Sequence, residues 1–339
     1  MKNKSDLTHF FLFILFLLVH HTHIEGFEKV VIWGHKTHSS THSYIHKAFY
    51  EAFNFLGYAT YWFDNDDQIN DFDFSETLFL TEGQVDQKIP LRNDGIYILH
   101  NCSTKYEGLK SIFLQVYTDD VLLLSDTIQV DKFTYFYPKS KGLFMPWATN
   151  LLPYQIEEIK LKLPSIEKER SIYWVGTVGA GRFGNINELT PFIDACENDQ
   201  HPFIAVNSSA TGIDDEVHIN FISSSYLAPA IVGTWQQQVG YIPCRIFKNI
   251  SYGQLGVTNS WHAYELFEHK IVYNPDTYQL FYDAKKRLET LTLQEIYELM
   301  DLVKTKHTYL NRIQTIFDFL TYIGFMDVKT TNNPKDSHE

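Results

Sequence analysis

GYIPCRIFKNISYGQLGVTNSWHAY, residues 240–264, reads as a short helix, a glycine stop, a strand and the start of a second helix. At 3.6 residues per turn, Arg245, Lys248, Asn249 and Tyr252 fall within roughly a 100° arc, and Ile246, Phe247 and Ile250 fall on the far side. The apolar side is expected to be buried, and the other side offers cations and hydrogen bonds. Gly253 stands where a helix ends in left-handed backbone, and Gln254–Thr258 reads as a short strand buried in a parallel sheet. A helix and strand so arranged suit an anion, and a nucleotide diphosphate fits.

Outward from this unit the chain alternates. Upstream, KVVIWGH from Lys29, a helix from about Tyr44 to Leu56, then YATYWF, TLFLTEG and GIYILHN read as strand, helix and strands of a parallel sheet. SIFLQVYT and FTYFY continue it to about residue 137. GLFMPWATNLLP, residues 142–153, carries two prolines and breaks the pattern, so a boundary is expected near residue 150. A second alternation runs from SIYWVGTV through a helix at about Asn187–Glu197 and the strand PFIAVN to the opening unit, followed by helices at about Leu293–Thr305 and His307–Tyr322. The expected fold class is α/β, two tandem Rossmann-like doubly wound domains facing a cleft: residues 27–150, residues 151–325, and a polar tail at 326–339. Ligands of such sheets bind beyond the carboxyl ends of the strands.

A net charge of −13 over 339 residues argues against a nucleic-acid partner, while 44% hydrophobic content provides for two cores. Lys2 and Lys4 precede the apolar run at residues 10–19, which has the length of a signal-peptide core and is short for a membrane span. Residues 1–26 are therefore expected to be a signal peptide or short anchor, placing the chain in the secretory pathway or at a membrane. Cys102, Cys196 and Cys244 have no ligand spacing and support at most one disulfide.

Three constellations could carry chemistry. GAGRFG, residues 179–184, follows a strand and precedes a helix, which suits a phosphate-binding loop. A nicotinamide site would want an acidic residue at the end of the next strand, where Asn207 stands, so oxidoreductase chemistry is disfavoured. WGHKTHSSTHSYIH places His35, His38, His42 and His46 in the first strand-to-helix turn. His42 or His38 is the expected general base, since imidazole titrates near working pH. His42 and His46 stand one helical turn apart, which makes a zinc site conceivable, but no carboxylate or cysteine lies beside them in sequence and no metal is expected there. Asp64-Asn65-Asp66-Asp67 after YATYWF reads as a capped, solvated loop more readily than as a cation site.

The order of a VGT glycine loop, GYIPCRIFKNISYGQLGVTNS, a helix ending in ELF, IVYNPD and HTYLNR resembles the group 1 glycosyltransferases of GT-B fold, especially the spore-maturation-protein-like branch. The likeness covers residues 171–322 best. It implies transfer of a sugar from a nucleotide-sugar donor to a hydroxyl of a glycan, lipid or protein acceptor, without metal or other cofactor. The donor would be held by Gly176, Gly179, Gly181, Arg182, Arg245, Lys248, Asn249, Tyr252, Thr258, Asn259 and Ser260, with Arg245 and Arg182 stabilising the departing diphosphate. Many relatives carry two glutamates where this chain has Gly240 and Lys248. Their loss admits a second expectation, a catalytically silent protein that binds sugar nucleotides or glycans.

Overall fold

The computed structural model describes residues 24–36, 41–102, 104–117, 126–207 and 213–328. Its first half contains β1 (Ile24–Glu25), β2 (Lys29–Trp33), α1 (Thr41–Phe55), β3 (Ala59–Phe63), β4 (Thr77–Glu82), β5 (Ile96–His100), β6 (Lys110–Gln115), β7 (Ile128–Asp131), β8 (Thr134–Tyr137) and β9 (Gly142–Phe144). The second half begins with α2 (Pro153–Lys162), β10 (Ile172–Val175), α3 (Ile186–Asn198), β11 (Phe203–Val206), α4 (Asp215–Ser224), β12 (Pro229–Ala230) and α5 (Thr234–Gln238). It continues with α6 (Cys244–Ser251), β13 (Val257–Thr258), α7 (Trp261–Leu266), β14 (Val272–Tyr273), α8 (Thr277–Leu288), α9 (Leu293–Lys306), α10 (Tyr309–Tyr322) and β15 (Asp327–Val328).

An eight-stranded sheet in the order β3-β2-β4-β5-β6-β9-β8-β7 forms the first domain. From β3 through β9 the neighbours run parallel, and β8 and β7 complete one edge antiparallel. β4 and β5 are buried along their whole length, as expected of parallel strands covered on both faces. α1 packs Ile45, Phe49 and Phe53 on one face, and Phe79, Tyr97 and Tyr106 fill the other. The periodic apolar residues of WGHKTHSSTHSYIHKAFYEAF thus end up where the helical spacing directs them.

The second domain carries two short parallel pieces, β10-β11 and β12-β13-β14. Tyr226 N–H donates to Ser171 O at 2.9 Å and Tyr173 N–H to Ser225 Oγ at 2.9 Å, so the segment entering β12 runs along β10 and joins the pieces. The strand expected over Gln254–Thr258 shortens to Val257–Thr258. Gln254 is drawn off instead, since its side-chain amide donates to Ile222 O at 2.6 Å and Ser225 O at 2.8 Å.

The chain crosses between the cores twice, with Thr149 N–H donating to His307 O at 3.0 Å where the crossings meet. Beyond them, α10 buries Ile313, Ile316, Phe317 and Leu320 in the core of the first domain. The sequence division assigned residues 151–325 to the second domain. The last helix of that span packs on the first, because its apolar stripe matches the face beside α1, and β1 pairs with β15 at the same end. Among the described residues, no helix is long and apolar enough to cross a membrane. The expected leader lies almost wholly outside them.

Candidate active site

A cleft of about 270 Å³ lies between the domains, with Thr41 and Tyr44 on one wall and Gly176, Gly179, Asn185, His218, Arg245, Lys248 and Asn249 on the other. The first-domain residues come from the opening turn of α1, and the second-domain residues from the loop after β10 and from α4 and α6. Lys47 pairs with Asp215, and Tyr44 O–H donates to Ile213 O at 3.3 Å, so the walls touch.

Arg245 is the central cation. Its guanidinium lies 3.6 Å from the Trp174 ring centroid and donates through Nε and Nη2 to Val175 O, at 3.4 Å each. No carboxylate pairs with it among the described residues. Burial lowers its pKa to about 10, so it stays charged at neutral pH. Gly176 makes this placement possible: its φ is +132°, and a Cβ there would collide with Nη2 of Arg245.

Lys248 is also buried. Its Nζ lies 4.2 Å from the Tyr44 ring centroid, and no ion pair holds it among the described residues. Burial lowers its pKa to about 8. Asn249 donates Nδ2–H to Ala228 O at 2.8 Å, while its buried Oδ1 has no hydrogen-bond partner among the described residues. His218 Nδ1 is likewise buried without a partner, and burial with the nearby Lys248 and Arg245 charges keeps that ring neutral. Asn185 ends the glycine loop: its Oδ1 accepts from Gly179 N–H at 3.2 Å, at the N-terminus of the 13-residue α3. Two cations and a helix N-terminus therefore meet at one space, an arrangement that attracts a phosphate-bearing ligand.

Not every expected donor residue faces that space. Arg182 sits over the Trp235 ring at 5.3 Å, and Gly181 adopts left-handed backbone in the same loop, neither among the cleft-lining residues. Tyr252 is fully buried and donates its hydroxyl to Asn150 Oδ1 at 2.6 Å. Thr258 Oγ1 donates to Ala230 O at 2.9 Å, and Ser260 caps α7. Asn259 bonds Val232 twice, accepting from its N–H at 2.9 Å and donating to its carbonyl at 2.9 Å. These polar groups are satisfied by the fold, and Asn259 acts by holding the Val232 segment that lines the cleft. Glu265 pairs with Lys132 and with His269, away from it.

The histidine turn holds a second constellation. His38 lies outside the described residues. His42 packs against His35 and His100, with ring centroids 5.3 and 5.5 Å away, and His46 packs 5.1 Å from His35. Glu82, at the end of β4, puts Oε2 3.2 Å from His35 Nε2. A carboxylate that is absent beside these histidines in sequence is thus supplied from β4. The parallel register aligns Trp33 with Thr81, bringing the ends of β2 and β4 together across 47 residues. Burial lowers the pKa of His42, with Glu82 partly opposing it, and brings His100 to about 4 and His46 to about 3. Asp64 and Asp67 accept from the backbone N–H groups of Lys36, Asn65 and Asp64, as expected of a capped loop.

The spacing read from residues 240–264 finds Arg245, Lys248 and Asn249. His218 and Tyr44 carry no local signal, and Asn185 does, as the polar residue between GAGRFG and the next helix.

No family model and no curated protein matches the chain. Solved structures do. An alpha-glucosyltransferase in complex with UDP and a 13-mer DNA containing a central A:G mismatch superposes with a TM-score of 0.57 at 8% identity, over 86% of this chain and 99% of that one. An alpha,alpha-trehalose 6-phosphate synthase from Burkholderia multivorans gives 0.51 at 10% identity, over 87% and 99%. The architecture is thus the Rossmann-like GT-B fold of these glycosyltransferases, shared over nearly their whole length. The likeness is one of fold, and the chemistry rests on the side chains described above.

Proposed function

We propose that this protein is a glycosyltransferase that moves a sugar from a nucleotide-sugar donor to a hydroxyl of a glycan, lipid or protein acceptor. The observation that carries the reading is Arg245, a guanidinium without a carboxylate partner among the described residues, held against Trp174 in the interdomain cleft beside Lys248 and the α3 N-terminus. In the reaction, the bond from the anomeric carbon to the diphosphate oxygen breaks and its electron pair stays with the diphosphate. Arg245, Lys248 and the helix end stabilise that growing charge, so no divalent ion is needed at the diphosphate. The acceptor oxygen bonds to the anomeric carbon and gives up its proton to an imidazole. His42, on the turn that also supplies Thr41 and Tyr44, is the described candidate, and His38 belongs to the same segment.

Asn249 Oδ1, buried and without a hydrogen-bond partner among the described residues, suits a hydroxyl of the donor. The acidic charge of −13 favours an acceptor other than nucleic acid. The apolar run at residues 10–19 supports a secretory or membrane-associated location. UDP accompanies one structural neighbour and is the first nucleotide to test.

A panel of UDP, GDP, dTDP and CMP sugars, read by thermal shift and donor turnover, tests the reading. At least one donor is expected to stabilise the protein and to be turned over. Arg245→Ala is expected to lower turnover at least tenfold, in line with about 1.5–3 kcal/mol for a charge-assisted hydrogen bond, with the melting transition retained. Unchanged kinetics in the folded variant would remove Arg245 from the mechanism. The substitution of Gly240 and Lys248 for two glutamates favours a second reading, a silent sugar-nucleotide-binding protein, which predicts binding without turnover.

A further inference from the structure

We propose that His35, His42 and Glu82 form a binding site for one zinc ion where β2, β4 and the start of α1 meet in the first domain. One ligand atom from each residue lies within 4.8 Å of the other two. His35 Nε2 and Glu82 Oε2 stand 3.2 Å apart. Ligand atoms held at about 2.0–2.2 Å around a tetrahedral zinc ion are roughly 3.4 Å from one another, so this pair already has the required spacing. His42 offers a ring nitrogen within 4.8 Å of both.

The local structure is built to hold these groups in place. His35 itself has a left-handed backbone, φ +59°, in a position rarely taken by residues with a side chain. Gly34 before it is also left-handed at φ +91°, and a Cβ there would collide with Val85. The carbonyl of Gly34 is engaged by His46 Nδ1 and by Trp62 Nε1–H, at 2.9 Å each. The turn is thereby fixed from two directions, as the supporting contacts of metal ligands usually are.

Glu82 supplies the independent sign of a missing cation. It is buried, and its Oε2 accepts from Gln84 N–H at 2.9 Å while facing His35. Its Oε1 is buried with no hydrogen-bond partner among the described residues. A buried carboxylate oxygen without a partner is costly, and a divalent ion satisfies it. Two imidazoles and one carboxylate match zinc far better than magnesium or calcium, and three protein ligands leave a fourth position for water or a hydroxyl. An ion held here takes the His42 lone pair, so the base role given to that imidazole belongs to the ion-free form.

The test is metal content and stability, independent of any transferase activity. The full chain, stripped with chelator and re-equilibrated with zinc, is expected to retain about one equivalent by mass spectrometry. Cobalt(II) in its place is expected to show the intense visible absorption of a tetrahedral site. Zinc should raise the melting temperature of the wild-type protein. His42→Ala and Glu82→Gln are each expected to weaken zinc binding by about 100-fold or more, beyond the loss typical of supporting residues. His42 is only half buried, so His42→Ala keeps the test sound should Glu82→Gln fail to fold, with circular dichroism as the check. No stoichiometric uptake by the wild-type chain, or uptake unchanged in folded His42→Ala, overturns the proposal.

Discussion

Lys248 shows how one side chain sets function against stability. Burial lowers its pKa from the ordinary 10.5 to about 8, and no ion pair offsets this among the described residues. The unfolded chain therefore binds more protons than the folded one between about pH 8 and 10.5, so the destabilisation is complete below pH 8 and is relieved as pH rises through that window. A shift of that size is worth on the order of 3 kcal/mol. Lys248→Met is expected to raise stability at pH 7 by up to about that amount, measured by denaturant unfolding. The same variant is expected to bind UDP more weakly at pH 7. Wild-type affinity should fall as pH rises through about 8, where the ammonium loses its proton, while that of Lys248→Met stays flat over the same range. A wild-type affinity with no such dependence would show that this charge does not meet the ligand.

At the scale of the element, periodicity suffices within α6, whereas Tyr252, on the same arc just past its end, is buried and bonded to Asn150. Ile246, Phe247 and Ile250 are fully buried on one side, and Arg245, Lys248 and Asn249 line the cleft on the other, as the helical arc requires. The segment from the last residue of β13 onward is different. Thr258, Asn259 and Ser260 have the polarity of ligand contacts, yet their side chains are taken up by backbone groups of β12, Val232 and α7. Sequence cannot separate these uses, because a hydroxyl or amide that binds ligand and one that satisfies a distant carbonyl look the same until the partner is placed. Asn259→Ala leaves the Val232 N–H unpaired and its carbonyl with only the 3.4 Å bond from Gln237 Nε2, and is expected to cost about 1–3 kcal/mol, the range for one stranded group. Asn259→Asp, which keeps only the acceptor, should fall between. A thermal melt of the three proteins checks the order.

For the whole molecule, the return of α10 to the first core determines how the domains are joined. Arg312, in the HTYLNR stretch, is buried where the crossings meet and donates to Pro146 O at 2.7 Å, Trp147 O at 2.9 Å and Lys306 O at 3.2 Å. Burial brings its pKa to about 10, so it remains a cation in neutral solution. Arg312→Leu strands three carbonyls at once and is expected to destabilise the protein by about 3 kcal/mol or more. Arg312→Lys should recover little, since a single ammonium cannot reach three carbonyls in the plane of a guanidinium. Calorimetry of both variants checks this. Equal stability of Arg312→Lys and wild type would show that charge alone holds the crossing.

The sequence by itself determined the alternation of strands and helices, the two cores, the amphipathic helix with its cations and the glycine loop ahead of α3. These follow from periodicity and backbone freedom, which act over a few residues. Only the tertiary structure decided that Glu82 meets His35, that His218 and Tyr44 enter the cleft, that Asn259 serves Val232, and that α10 completes the first domain. Each depends on strand register or on which apolar face closes on which, and those are settled by burial over the whole chain.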